Sequence, residues 1–175
     1  MDWSGFLRSE RRVIRFGALF ALCMAILGLA FEYGRGIWAT VYMLPLSSAA
    51  AGLLRLLSLD AVLDTSPLEL GYCDLVLRQI TYRVTFDCTG IFALLAFLSL
   101  SVAYPATWRE RGVGLLVGVP AIAVFSCLRL VVLGVVAHVE PEWIEIFHVY
   151  VMELATLGFM LFVWKHWING LKRID

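Results

Sequence analysis

Phe86-Asp87-Cys88-Thr89-Gly90 is the stretch on which the reading of this chain turns. Before it lies the one extended polar region, residues 60–87. After it an apolar run extends from Ile91 to Tyr104. A cysteine therefore stands where a water-facing segment meets a membrane span. Upstream of it, Ile80, Tyr82, Val84 and Phe86 alternate with Thr81, Arg83, Thr85 and Asp87. Period two marks a half-buried strand, and residues 75–86 are rich in the β-branched and aromatic types that strands favour. A short hairpin turning at Arg78-Gln79 is expected.

The composition fits this boundary. Of 175 residues, 61% are hydrophobic and 16% are charged. Mean hydropathy is +0.85. These values lie outside the soluble range and predict an integral membrane protein, one helical bundle over residues 1–175. Fourteen basic and fourteen acidic residues cancel, so no global charge calls for nucleic acid. The four cysteines are scattered singly, without CxxC or CxxH spacing, which argues against a zinc site or a thioredoxin-like pair. No metal or cofactor is expected.

Working outward, the polar N-terminal residues carry Arg8, Arg11, Arg12 and Arg15. Ile14 to Phe31 is then an apolar run of about 18 residues, roughly 27 Å as a helix and near the hydrocarbon thickness. A cleaved signal peptide is the rival reading. The run is long for one, and Phe31-Glu32-Tyr33 is a poor small-residue cleavage site, so an uncleaved first span is expected. Residues 37–59 are apolar but interrupted by Pro45, Ser47 and Ser48, and they carry Arg55. If they spanned, Arg109 and Arg111 would face outward together with the basic C-terminus, against the positive-inside rule. An outer interfacial or re-entrant helix is expected there instead.

Three further spans follow, at about 89–104, 113–137 and 148–164. The expected fold is thus an all-α membrane protein with about four transmembrane helices, an outer interfacial helix and a short extracytoplasmic hairpin. Nine of the fourteen Lys and Arg lie before Phe16, between Pro105 and Gly112, or after Trp164. Nine of the fourteen acidic residues fall on the opposite side. This places the N-terminus in the cytoplasm of an inner-membrane protein.

Two more residues meet Cys88 in this topology. Arg129 lies in the apolar run Ala121 to Leu133, where a central charge costs roughly 2.5–3.5 kcal/mol on insertion scales. It is either a structural arginine, paired with an acid such as Glu153, or a fixed cation in an outward-facing cavity. His148 opens the last span on the same face as Cys88. A neutral imidazole there is suited to take a thiol proton and return it to a leaving amine. Cys88 itself is a nucleophile only if its thiol ionises readily; the start of a helix and Arg129 both favour that. A disulfide with Cys73 is the competing expectation. Gly90 offers little bulk beside the thiol, so Thr89, Gly90 and Ser126 are the candidates for substrate contact.

In this arrangement the sequence resembles the exosortase/archaeosortase family of membrane transpeptidases. The resemblance rests on Cys88 in Asp-Cys-Thr-Gly-Ile, Arg129 in the next span and His148 at the start of the last, over about residues 66–167. Ser126 stands where the family often has Asn, and the chain is short for the family. The resemblance implies a cysteine-dependent enzyme with Cys88, Arg129 and His148 as catalytic residues. Its substrates would be secreted proteins bearing a C-terminal motif, a transmembrane helix and a basic tail. The new C-terminus would pass to an amine acceptor, such as one on a lipid, at the extracytoplasmic face. The alternative is a non-enzymatic membrane assembly protein with an Arg129 ion pair and a Cys73–Cys88 disulfide.

Overall fold

The computed structural model describes residues 3–78 and 80–171. Gln79 of the expected turn and Lys172 and Arg173 of the basic tail lie outside the described residues. Five helical stretches carry the fold: α1 (Trp3–Tyr33), α2 (Arg35–Leu56), α3 (Ile91–Ala103), α4 (Trp108–Val139) and α5 (Pro141–Leu171). A three-stranded antiparallel sheet, β1 (Ala61–Asp64), β2 (Tyr72–Leu77) and β3 (Ile80–Thr85), is inserted between α2 and α3 in the order β1-β2-β3.

Local sequence explains these elements. Thr107 caps α4: its hydroxyl accepts from the Glu110 N–H, and the Glu110 carboxylate accepts from the Thr107 N–H. Such a capping box is worth about 1 kcal/mol. Inside α3, Ser99 and Ser101 donate their hydroxyls to the carbonyls of Leu95 and Phe97. Their polarity is thereby satisfied within the helix, as a lipid setting requires. In the sheet, Leu77 pairs with Ile80 across the tight turn, and Arg78 takes a positive φ of 42°. Cys73, Leu75, Leu77, Tyr82 and Val84 are buried while their neighbours are more open, the alternation the sequence predicts.

The bundle then assembles in a defined order. Phe31 near the end of α1 meets Phe86 and Phe92 edge-on, so α1 lies along α3. Leu46 sits beside Cys127, and Leu54 packs on Gly134, so α2 runs parallel to α4. Farther along α4, Phe97 of α3 occupies the space a side chain at Gly118 would need. Trp167 of α5 donates to the Glu110 carbonyl and stacks edge-on with Tyr104 at the end away from the sheet. Leu116, Val117 and Val124 of α4, with Leu154 and Phe162 of α5, remain exposed. Such a continuous apolar flank is suited to lipid rather than water.

Four helices are long and apolar enough to cross a membrane, so the expected class holds. Their membership is instructive. Arg35–Leu56, expected at the interface, is also long and apolar enough to cross a membrane by length and composition, and it buries Met43, Ala50, Ala51 and Leu54 in the core. Ile91–Ala103 is a shorter apolar helix of 13 residues. Its rise is about 20 Å, less than a ~30 Å hydrocarbon layer. The reason is local: residues 86–89 form a 3-10 turn, and Gly90 turns left-handed before α3 begins. The expected hairpin is present, but β1 adds a third strand, tied to α2 by the Arg55 side chain donating to the Ala61 carbonyl at 2.9 Å.

Candidate functional site

β3 runs directly into the 3-10 turn Phe86–Thr89, which carries Cys88. The turn is held by the Thr89 hydroxyl donating to the Phe86 carbonyl at 2.7 Å. The Tyr42 hydroxyl of α2 reaches the Thr89 carbonyl at 3.2 Å. Gly90 follows with φ 68°, the left-handed region open to glycine. A β-carbon on Gly90 would stand 2.5 Å from Ser126 Oγ. The space beside Gly90 is thus filled by Ser126 of α4, and Thr89 and Ser126 are both fully buried.

Cys88 is only 2% exposed. Its Sγ lies 3.7 Å from His148 Nε2 and 3.5 Å from Thr85 Oγ1. The first is at the long end for a sulfur hydrogen bond, a looseness common before substrate binds. Burial pushes the thiol pKa up, but hydrogen bonding to His148 and Thr85, with the Tyr82 hydroxyl close by, outweighs it and brings the value down to about 7. Near neutral pH a large share of the sulfur is therefore thiolate, the form that attacks carbonyls.

His148 reaches the sulfur because its helix is irregular. Phe147–Val151 is a π-helical turn within α5. Residues five apart in an α-helix diverge by about 140° around the axis. A π turn holds an extra residue and reduces that divergence. His148 and Glu153 can then serve one side of the bundle. α2 has its own π turn, Ala39–Met43, which presents Tyr42 to the Cys88 turn.

Arg129 is buried, with no exposed side-chain surface. It lies ten residues before the end of α4, about 15 Å of helical rise. One terminal nitrogen donates to Thr156 Oγ1 at 3.1 Å and the other to Glu153 Oε1 at 3.3 Å. Arg129 Nε has no partner. The ion pair with Glu153 that the sequence left open is therefore formed, although Glu153 stays 54% exposed.

The competing Cys73–Cys88 disulfide is not formed: both cysteines are free. Cys73 lies fully buried on β2 and donates to Ser47 Oγ at 3.4 Å. Burial raises its thiol pKa, so it is the inert member of the two. Among the described residues, no group of three or more His, Cys, Asp or Glu is placed to hold a metal ion. A cavity of about 710 Å³ lies at the other end of α4 and α5, lined by Gly114, Val117, Phe162 and His166 among others, away from Cys88.

The sequence reading picked out Cys88, Arg129 and His148, and the fold brings Cys88 against His148 while Arg129 lies on the neighbouring helix. Three residues of the site were not singled out as functional: Tyr82, Thr85 and Thr156. Tyr82 left a trace, a hydroxyl on the buried face of the alternating strand. Thr156 left none, since its role depends on Arg129 pointing toward it.

A polytopic helical protein with a small sheet over one end, and a cysteine beside a histidine there, is the class this fold and site define. The family model for transmembrane exosortases matches residues 8–165, and the chain belongs to that family. Neither a curated protein nor a solved structure matches it.

Proposed function

We propose that this chain is a membrane cysteine transpeptidase that cleaves C-terminal sorting signals of secreted proteins. The observation that carries the reading is the approach of Cys88 Sγ to His148 Nε2 at 3.7 Å. His148 takes the thiol proton, and the sulfur attacks the scissile carbonyl. The carbonyl π pair moves onto oxygen, where Arg129 stabilises it. Collapse breaks the C–N bond, His148 protonates the leaving amine, and a thioester remains. An amine acceptor, on a lipid or another carrier, then releases the new C-terminus. Thr89, Gly90 and Ser126, all buried, pack beneath the turn that holds Cys88 toward the substrate backbone.

The family and the surroundings support the substrate class. β3 is an edge strand of the sheet and leads straight into the Cys88 turn. An extended recognition motif adds to such an edge by main-chain hydrogen bonds. The motif, a following transmembrane helix and a basic tail complete the signal. The site faces the extracytoplasmic side of the inner membrane.

The test is co-expression with a secreted protein carrying such a tail, followed by mass analysis of its C-terminus. Cys88→Ala is expected to insert normally and to leave the tail uncut. Processing at the wild-type level by that variant would sink the proposal. The rival reading, a non-enzymatic assembly protein, is favoured by one observation, the Arg129–Glu153 ion pair. Its disulfide has no counterpart, since Cys73 and Cys88 are free.

A further inference from the structure

Five buried side-chain atoms among the described residues lack a hydrogen-bond partner. Three of them belong to residues grouped near the Cys88 turn: Tyr82 Oη, close to the sulfur; Ser126 Oγ, against Gly90; and Nε of Arg129, which bonds Thr156, itself beside Gly90. Folds rarely leave buried polar groups unpaired, because each has given up water without compensation. A concentration of them around one nucleophile marks a place prepared for an acceptor that arrives with the substrate. Ser126 Oγ is pressed against Gly90 and has little freedom. Tyr82 and Arg129 remain.

Tyr82 projects from the buried face of β3 and is 7% exposed. Its hydroxyl lies beside the Cys88 sulfur and within the field of Arg129, yet forms no hydrogen bond of good geometry. Burial, the largest influence, holds its pKa well above the ordinary tyrosine value. The group therefore keeps its proton at any working pH and is a donor, not a base. Arg129 has spent both terminal nitrogens on Thr156 and Glu153 and has Nε–H left.

We propose that Tyr82 is a further catalytic residue: its hydroxyl and Arg129 Nε–H together bind the oxyanion of the tetrahedral intermediate formed at Cys88. This rests on the transpeptidase reading above. As the S–C bond forms, the carbonyl π pair moves onto oxygen, and the Tyr82 O–H and Arg129 N–H donate to it. Neither gives up its proton. As the C–N bond breaks, the carbonyl re-forms and both donors are again without a partner. Donors aimed at the transition state and left idle in the ground state lower the barrier instead of merely tightening binding.

The test is Tyr82→Phe, which keeps the ring and removes the hydroxyl. Processing of a co-produced protein with a C-terminal motif-helix-basic tail is measured per inserted enzyme molecule, beside Cys88→Ala. A loss of about 10²–10³-fold is expected, the usual result of removing one oxyanion donor. The melting temperature in detergent should stay level or rise, because the hydroxyl removed had no partner. The loss should persist at pH 9, where Cys88 is thiolate in both proteins. Installing 3-fluorotyrosine at position 82, which keeps the hydroxyl, should retain activity. A wild-type rate for Tyr82→Phe beside an inactive Cys88→Ala overturns the role of Tyr82 and leaves the transpeptidase reading standing. A loss that vanishes at pH 9 also overturns it, because Tyr82 would then only tune the sulfur. Full processing by Cys88→Ala overturns both.

Discussion

The backbone of Gly90 rests directly on the hydroxyl of Ser126, two residues after the nucleophile and three before Arg129. This contact locks the Cys88 turn to the helix that carries the arginine.

Gly90→Ala should accordingly damage the protein twice. The left-handed φ of 68° costs an alanine about 1–2 kcal/mol. The added carbon also meets Ser126 Oγ at 2.5 Å, an overpacking worth roughly 1–3 kcal/mol. Thermal unfolding in detergent should show a lowered midpoint. Adding Ser126→Gly should recover the packing part and leave the backbone part.

Arg129→Lys should insert and fold but process substrate about 10²–10³-fold more slowly. The guanidinium bonds two residues and still has Nε free. A lysine ammonium is a point charge and cannot hold that planar set of directions. Processing rates per inserted molecule, with circular dichroism as the folding control, check this.

Glu153→Gln isolates the ion pair. It leaves the buried Arg129 without its carboxylate, but Glu153 is 54% exposed and water screens part of the effect. A loss of roughly 1–2 kcal/mol is expected, below the 3–5 typical of a wholly buried pair. Cys88 alkylation should continue. A variant that fails to insert at all would shift weight toward the assembly reading.

The reactivity of Cys88 should titrate near neutrality. With its pKa lowered to about 7, the sulfur is thiolate above that pH, and the rate of iodoacetamide alkylation should level off there. Below it, protonation should cut the rate about tenfold per pH unit. A thiol at the ordinary value of about 8.5 would place the same midpoint higher. His148→Ala removes a stabilising partner and should move the midpoint upward. The labelled site is read by peptide mass analysis, which also tests that Cys73 stays unreacted in the folded protein.

Much of this arrangement is legible in the residues themselves. Period two in residues 80–86 marks β3, and a lone arginine in an apolar run marks Arg129, because lipid makes such a charge conspicuous. The positive-inside argument sets the 35–56 segment at the outer face, and Pro45 and Arg55 look disruptive there in isolation, yet it folds as one long apolar helix packed into the core. In the fold Pro45 follows directly on the π turn Ala39–Met43 inside α2, where the regular hydrogen-bond ladder is already shifted, and Arg55 finds the Ala61 carbonyl. β1 escapes because Ala61–Asp64 is only four residues long and is defined by its pairing with β2. Tyr82 escapes because an alternating strand shows which face is buried, not which buried atom goes unpaired.

The π turn at Phe147–Val151 has a consequence for how sequence length may vary here. A π turn is an α-helix with one residue too many. Deleting one residue within it would restore regular α geometry without breaking the chain, much as a clutch releases. The residues on its N-terminal side would keep nearly the same angle relative to Glu153 and Thr156, because four α-helical steps turn through about 400°, close to what five steps across the π turn cover. His148 would stay on the side that faces the sulfur. A single-codon deletion at residues 149–151 should therefore be tolerated far better than one in the regular helix at residues 157–163, which turns one side of the helix by about 100° against the other.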